Sequence, residues 1–424
     1  MNIWILTIGE PLPIAHSVSD RSHRSVFFGK LLAEQGNHVL LWTSCFDHFN
    51  KKFYSENDIR IAYNDHLELF LLNGGGYRKN ISFSRFWDHL RIADKFKRYS
   101  ESMAPPDIIL SSLPSIELCS EAVSYGKRHR IPVVLDMRDM WPDIFIEYMP
   151  KLMQPFGKLI FSPLFKKAAT ACGSANAITG ITEQFVEWGV QRGNRKRRPL
   201  DRSFPMGYLS DRSQIEKNTE ADAFWDAQGI LQDGKTFRIC FFGSLNNQFD
   251  LEPIFAAAEK LIHSDPNVQF VICGDGERLP LFREKSASLS NIRFPGWVNS
   301  SQILSLMNRS SLGLDPLPDR FDFLATINNK AIEYLSTGLP VLSSPKKGVL
   351  FELLKDYDCG SSYDATNVDE CVSIIHHYNS NLSFRARQRA NAKEVFLNSF
   401  EAKSIYGNMA NHLNDVIHHY RSEL

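Results

Sequence analysis

Thr326-Ile327-Asn328-Asn329-Lys330-Ala331-Ile332-Glu333-Tyr334-Leu335-Ser336-Thr337-Gly338-Leu339-Pro340-Val341 is the stretch on which the reading of the fold turns. Asn328 or Asn329 suits an N-cap, because an Asn side chain accepts from the backbone N–H groups that open a helix. The helix is expected to run to about Thr337 and to end at Gly338, which tolerates the left-handed conformation that stops a helix. Val341-Leu342-Ser343 follows at once as an apolar strand. A helix feeding directly into such a strand is one unit of an α/β fold with a parallel sheet.

The same alternation extends outward in both directions. Phe237-Arg238-Ile239-Cys240-Phe241-Phe242 reads as a strand ending at Gly243, and residues 268–273, 292–294 and 312–314 read as further strands. In the first half, residues 3–8, 38–43, 107–111, 133–136 and 177–182 are expected strands, and residues 25–35 a helix ending at Gly36. The pattern therefore occurs twice, as two doubly wound α/β halves. Their strand C-terminal ends are expected to face each other across a cleft, where ligands of such sheets bind. The boundary is placed near Pro205-Met206-Gly207-Tyr208, which gives domains of residues 1–205 and 206–398. Residues 211–236, polar in character, read as a connection and a first helix.

Composition narrows the function classes. The 424 residues hold 48 Lys+Arg and 48 Asp+Glu, with 43% hydrophobic and 23% charged residues. That is an ordinary globular balance, and a net charge of zero argues against a dedicated nucleic-acid binder. The N-terminal Met1-Asn2-Ile3-Trp4-Ile5-Leu6 has no basic flank and reads as a buried strand rather than a signal peptide. No span of about 18 strongly apolar residues is present, so no transmembrane helix is expected. The seven cysteines are odd in number and contain no C-x-x-C pair. This is reduced, cytosolic usage rather than a disulfide framework or a zinc site.

Several positions carry candidate chemistry. The free N–H groups and positive dipole end of the 326–337 helix suit a diphosphate. Lys330 lies in its first turn, where its charge opposes the dipole, a cost that makes sense if an anion binds there. Glu333 lies one turn on and is placed to accept from sugar or ribose hydroxyls. An ordinary amphipathic helix with surface charges would show the same residues. Gly243 and Ser244 at a strand end allow backbone to approach a phosphate closely, although a plain turn fits equally well. Gly274-Asp275-Gly276 lacks the third glycine of a dinucleotide fingerprint, Leu279 standing at that place. In the first half, Val133-Val134-Leu135-Asp136 runs into Met137-Arg138-Asp139-Met140-Trp141-Pro142. Asp139 is a candidate for orienting an acceptor hydroxyl. Arg138 either steadies negative charge or pairs with an Asp. His23 and Arg24, between the first strand and the next helix, are acceptor-side candidates. Asp356-Tyr357-Asp358 matches the letters of a metal-binding DxD but falls in a loop after a short helix, so no metal is expected.

Taken together, N-K-A-I-E-Y-L-S-T-G-L-P-V from Asn329 to Val341, F-F-G-S-L from Phe241, C-G-D-G from Cys273 and P-G-W-V from Pro295 resemble the GT-B glycosyltransferases of family 4, glycosyltransferases group 1. The resemblance extends over nearly the whole chain. It implies two Rossmann-like domains facing across a cleft, the acceptor on the first and a nucleotide diphosphate sugar, UDP-linked, on the second. It places Asn329, Lys330 and Glu333 at the donor, Glu333 on the ribose, and the strand ends at Gly274, Asp275, Gly276 and Trp297 around the base. Catalytic positions would be Asp139, Arg138 and Lys330. The last helix, within residues 399–424, would pack back on the first domain. Such enzymes retain anomeric configuration, and a helix dipole with basic side chains stands in for a metal. Two departures stand out. Ala325 occupies the place of a second Glu, with Asp322 three residues upstream as a substitute. Asn246, Asn247, Gln248 and Phe249 occupy the place of a basic pair that grips the diphosphate.

The zero net charge divides unevenly. Residues 1–205 hold 27 Lys+Arg against 21 Asp+Glu, and residues 206–424 hold the reverse. Within the first half, Gly157-Lys158-Leu159-Ile160-Phe161 and Phe83-Ser84-Arg85-Phe86-Trp87 interleave cations with apolar side chains. That suits a helix lying on an anionic membrane, and it suits an ordinary core helix too. The expected protein is a retaining glycosyltransferase, cytoplasmic and peripheral on the inner face of the plasma membrane. It would act on a lipid-linked glycan of bacterial capsule or O-antigen assembly. The alternatives are a GT-B nucleotide-sugar 2-epimerase and a GT-B module that binds without catalysis.

Overall fold

The computed structural model describes residues 1–14, 24–80, 82–209 and 219–423. The chain divides into two compact units, one of Met1–Met206 with Lys403–Leu424 and one of Gly207–Ala402. The expected segments at residues 15–23, which include His23, and at residues 211–218 lie outside the described residues.

The first unit contains β1 (Asn2–Leu6), β2 (His38–Ser44), β3 (Phe46–Asp47), β4 (Lys52–Phe53), β5 (Ile59–Ala62), β6 (Leu67–Leu72), β7 (Ile108–Ser112), β8 (Val133–Met137), β9 (Ala177–Gly180) and β10 (Arg202–Ser203). Eight of these form one sheet in the order β10-β9-β8-β7-β1-β2-β6-β5. All its pairings are parallel except β5 against β6. Helices on both faces explain why β1 and β8 are apolar almost throughout. Trp4 of β1 packs edge-on against Trp42 of β2 at 5.3 Å and meets Phe96 and Tyr125 from two helices. Burying each such side chain contributes about 1.5–3 kcal/mol.

Two strands of this sheet, β5 and β6, were not legible as strands. Leu67-Glu68-Leu69-Phe70-Leu71-Leu72 has four leucines and no β-branched residue, a composition that favours helix. Burial between β2 and the helix Phe83–Ser100 overrides that preference. Arg60 of β5 grips Glu68 across the antiparallel pair, Nε to Oε1 at 2.6 Å.

The second unit contains β11 (Phe237–Phe242), β12 (Val268–Cys273), β13 (Ile292–Gly296), β14 (Leu312–Pro316), β15 (Val341–Ser344) and β16 (Gly360–Ser362). They form a six-stranded parallel sheet in the order β13-β12-β11-β14-β15-β16. Strand order reverses between β11 and β14, as it does between β7 and β1 in the first unit. Ligands of open α/β sheets bind outside the strand C-terminal ends at such a reversal.

The helix Asn329–Ser336 crosses from β14 to β15, with Asn328 as its N-cap. Tyr334 fastens it to the reversal, its hydroxyl donating to the carbonyls of Cys240 on β11 at 3.2 Å and Leu314 on β14 at 3.1 Å. Gly313 makes this possible, since a Cβ there would lie 2.2 Å from the Tyr334 ring. The last helix, Ala402–Glu423, belongs to the first unit, where Arg421 pairs with Asp107 at 2.9 Å.

Candidate functional site

At the reversal of the second sheet, the Lys330 side chain lies across the mouth of Gly243. A Cβ built on Gly243 would stand 3.1 Å from the Lys330 Nζ, and the glycine takes a φ of 153°. The ammonium lies 3.7 Å from the centroid of the Phe249 ring and 5.5 Å from that of Phe241. Gly243 and Gly274 press together so closely that a Cβ on Gly274 would sit 1.8 Å from the Gly243 carbonyl oxygen. Backbone bonds continue the ladder past the strands, from Gly243 N to Cys273 O at 3.1 Å and from Leu245 N to Asp275 O at 2.9 Å. Ser244 and Asp275 are exposed, and the Asp275 carboxylate accepts the Gly276 N–H at 2.8 Å. Trp297, 62% exposed, follows the end of β13.

The helix start is braced from beneath. Asn328 accepts the Ala331 N–H at 3.1 Å and donates its amide to Asp315 Oδ2 at 2.6 Å. Asp315 is fully buried at the end of β14, and its Oδ1 has no hydrogen-bond partner among the described residues. Burial pushes its carboxyl up to about 6, against the pull of the Lys330 charge and the Asn328 amide. Asn329 is exposed at the first helical position. Glu333 is 1% exposed, on the same helix as Lys330 and one turn on.

In the first unit, Arg138 and Arg24 meet at one buried carboxylate. Asp136 accepts from Arg138 Nε at 2.6 Å, from Arg24 Nε at 3.1 Å and Nη2 at 3.2 Å, and from the Thr179 hydroxyl at 2.8 Å. Burial alone would raise the Asp136 carboxyl, but the two guanidiniums outweigh it and hold it well below the usual carboxylate range. Arg138 also donates to Glu10, which in turn accepts from the Ser25 N–H and hydroxyl. The expectation that Arg24 faces the acceptor is corrected here. Arg24 is 2% exposed, and its remaining donors reach the carbonyls of Phe204 at 2.8 Å and Pro205 at 2.7 Å and the sulfur of Met409 at 3.7 Å. It holds the unit together from inside. Asp139, by contrast, is half-buried at the end of β8 and accepts the Met140 N–H at 2.8 Å.

The segment that carries the Gly243–Lys330 arrangement matches a known family over residues 236–380, described as glycosyl transferases group 1. No curated protein matches the chain by sequence. Among solved structures, a sucrose-phosphate synthase from Thermosynechococcus elongatus is similar at TM-score 0.70 and 14% identity, over 98% of each chain. Anabaena HepE in complex with UDP is similar at TM-score 0.68 and 14% identity, over 98% of this chain and all of the other. A UDP-forming trehalose-phosphate synthase from Burkholderia xenovorans reaches 0.66 at 12% identity, over 98% and 99%. The shared architecture is the GT-B fold, with two Rossmann-like units.

The departures from the group 1 pattern are visible in the structure. Ala325 is buried after the short helix Phe321–Leu324. Asp322, the possible substitute, is paired with Arg320 at 2.6 Å. Asn246, Asn247 and Gln248 bring no cation to the glycine loop, and Phe249 instead supplies the ring on which Lys330 rests. Asp358 of the D-Y-D triplet is held by Arg387 at 2.8 Å and Gln388 at 2.7 Å. Among the described residues no group of three or more His, Cys, Asp or Glu is arranged to hold a metal ion. The sequence reading gives no role to Asp315 and sees Phe249 only as standing where a cation is missing. An Asp within Leu312-Gly313-Leu314-Asp315-Pro316 is a charge in a buried strand, and that was the signal for the first.

Proposed function

We propose that the chain is a retaining glycosyltransferase that moves a sugar from a UDP-sugar to an acceptor hydroxyl. The observation that carries this reading is the Lys330 ammonium poised over Gly243, beside a capped helix start at the sheet reversal. A diphosphate there receives a cation, backbone N–H groups and a dipole, each stabilising the charge that grows as the sugar–phosphate bond breaks. The complexes of Anabaena HepE with UDP and with UDP-glucose support the choice of nucleotide. In this reading the second unit, with Gly243, Ser244, Gly274, Asp275, Gly276, Trp297, Asn329, Lys330 and Glu333, holds the donor. The first unit holds the acceptor, and Asp139 orients its hydroxyl. Arg138 keeps the loop bearing Asp139 in place through Asp136 and Glu10.

The acceptor is proposed to be a lipid-linked glycan, met at the inner face of a bacterial plasma membrane during capsule or O-antigen assembly. No described helix is long and apolar enough to cross a membrane. The first unit instead presents an apolar face. Leu152 and Phe83 are each 89% exposed, and Met153, Phe156, Leu159, Ile160 and Trp87 are exposed with them. Phe86 and Phe161, 6.1 Å apart, join the two helical segments that carry these residues. Lys151 and Lys158 lie among them, so the face combines buried-type side chains with positive charge. Patches of this kind on a surface mark an interaction site.

The test is a panel of nucleotide sugars with and without membrane extract, read by mass spectrometry. Release of UDP that requires the extract, with a glycosylated lipid product, supports the proposal. Interconversion of the nucleotide sugar with no acceptor would favour the epimerase. Binding across the panel with no turnover would favour a non-catalytic module.

A further inference from the structure

We propose that the first unit carries a separate anion site, formed by His48, Lys51 and Arg85 around Tyr77, that takes a phosphate or diphosphate group of the acceptor. That the anion belongs to an acceptor rests on the transferase reading, whereas the site itself rests on geometry alone.

Four strand ends converge there. Past β1, Gly9 sits against His48, a Cβ on the glycine meeting the His48 Cβ at 3.8 Å. His48 follows β3, Tyr77 follows β6, and the Asp139–Trp141 loop follows β8. Arg85 comes from the first turn of the helix Phe83–Ser100. This is the carboxyl edge of a parallel sheet, where ligands bind.

The side chains form one cationic cluster. His48 Nδ1 and the Tyr77 hydroxyl are 2.6 Å apart. The Lys51 ammonium and the Arg85 guanidinium lie 4.8 Å and 5.4 Å from the Tyr77 ring centroid, and Arg85 lies 4.4 Å from that of Trp141. Both cations converge on Asn80. Lys51 donates to its Oδ1 at 2.6 Å and Arg85 to its backbone oxygen at 2.8 Å. Among the described residues neither cation has a carboxylate within ion-pair distance, and the Arg85 Nε is buried without a hydrogen-bond partner.

Three acids stand near, and Asp88 and Asp139 act on the Arg85 charge. Asp47 accepts from the N–H groups of Phe49 and Asn50, the Asn50 amide and the Tyr54 hydroxyl. Asp88 accepts the Gly76 N–H on Oδ1, its buried Oδ2 has no hydrogen-bond partner among the described residues, and burial pushes its carboxyl up to about 6, while Asp139 accepts the Met140 N–H. Burial brings Arg85 below its ordinary value against the pull of Tyr77, Asp139 and Asp88, while burial and the Arg85 charge bring Lys51 below its own and, with Lys51, His48 down to about 4. Two cations held together, with a neutral imidazole and a phenol as further polar groups, match a dianion with several acceptor oxygens. Such an anion would relieve the mutual repulsion that the fold now tolerates. Phe83 and Trp87, exposed on the same helix as Arg85, put apolar surface beside this charge.

A lipid-linked diphosphate and a soluble sugar phosphate share this chemistry, and the test separates them. Inorganic pyrophosphate is titrated calorimetrically into the wild-type chain, into K330A and into K51Q/R85Q. The wild type is expected to show two sites, with each variant weakening a different one at least about tenfold, as loss of charge-assisted bonds implies. Lys51→Gln alone, a half-buried surface change, keeps the comparison open if the double variant fails to fold. Glucose 6-phosphate and vesicles carrying a polyprenyl diphosphate are then compared on wild type and variant. The probe whose binding the variant loses identifies the source. A folded K51Q/R85Q that keeps wild-type affinity for all three probes overturns the proposal. Failure of every nucleotide sugar to turn over, with the pyrophosphate result intact, would count against the transferase reading and leave the site standing.

Discussion

The Lys330 ammonium rests 3.7 Å from the centroid of the Phe249 ring, on the open side of Gly243. The ring holds the charge in place by cation–π contact. Cation–π contact contributes about 0.5–2 kcal/mol, less than a diphosphate gains from the same cation in a charge-assisted bond. Lys330→Ala is therefore expected to weaken UDP-sugar binding about 10- to 100-fold, and Phe249→Leu only a few-fold, as measured by calorimetry. Full donor affinity in Lys330→Ala would remove the phosphate assignment.

Asp315 is expected to make the binding of a UDP-sugar depend on pH. Its carboxyl is raised to about 6 by burial, so between about pH 4 and pH 6 the folded state holds a proton that the unfolded state has released. Stability contributed by this group is present below pH 4 and falls as pH rises to 6. The ionised form also places a negative charge beneath the diphosphate. Affinity for a UDP-sugar, whose diphosphate ester does not titrate here, is expected to rise as pH falls from 7 to 5. Asp315→Asn should flatten both profiles, and a pH dependence unchanged in that variant would refute the assignment.

Asp136 behaves in the opposite sense. Its carboxyl is held low by Arg24 and Arg138 against the effect of burial, so its contribution is complete above the unfolded value near 4 and is lost as pH falls below it. Asp136→Asn leaves two buried guanidiniums without their shared partner and is expected to cost about 3–5 kcal/mol. Urea denaturation at pH 7 measures this loss. A cost below about 1 kcal/mol would mean that the pair is solvated in solution.

The apolar face of the first unit should be separable from the fold. Leu152, Phe156 and Leu159 are exposed, and surface substitutions change stability by no more than about 0.5 kcal/mol each. Replacing all three with Ser is expected to abolish flotation with anionic vesicles while Tm stays nearly constant. Unchanged flotation would exclude this face as the membrane contact.

The two-fold α/β pattern was legible because a buried parallel strand announces itself as a short apolar run closed by glycine. Phe237–Phe242 and Val268–Cys273 match the sequence reading residue for residue. Of the two strands not legible in the sequence, β6 is apolar but leucine-rich, and only its neighbours decide its conformation. Lys330 stands out in the sequence because a cation at a helix start runs against the dipole. Arg24 was misread because sequence position gives topology, not burial, and nothing in residues 15–24 says that Asp136, 112 positions on, will claim the guanidinium. Asp315 went unnoticed because its importance depends on Asn328 and Lys330 closing over it.

Tyr208 and Glu401 form a parallel bridge, and Tyr208 exchanges backbone bonds with Phe400 at 2.8 Å and Ala402 at 3.0 Å. The second unit thus begins and ends at neighbouring points, so in topological terms it is an insert in the first. Arg24 binds the carbonyls of Phe204 and Pro205, just before the insert opens, and Met409, just after it closes. A short turn in place of residues 207–402 would leave both of those anchors intact. The inserted unit of such a chain can then be exchanged between scaffolds by recombination at one pair of neighbouring junctions, with the host unit keeping its own core.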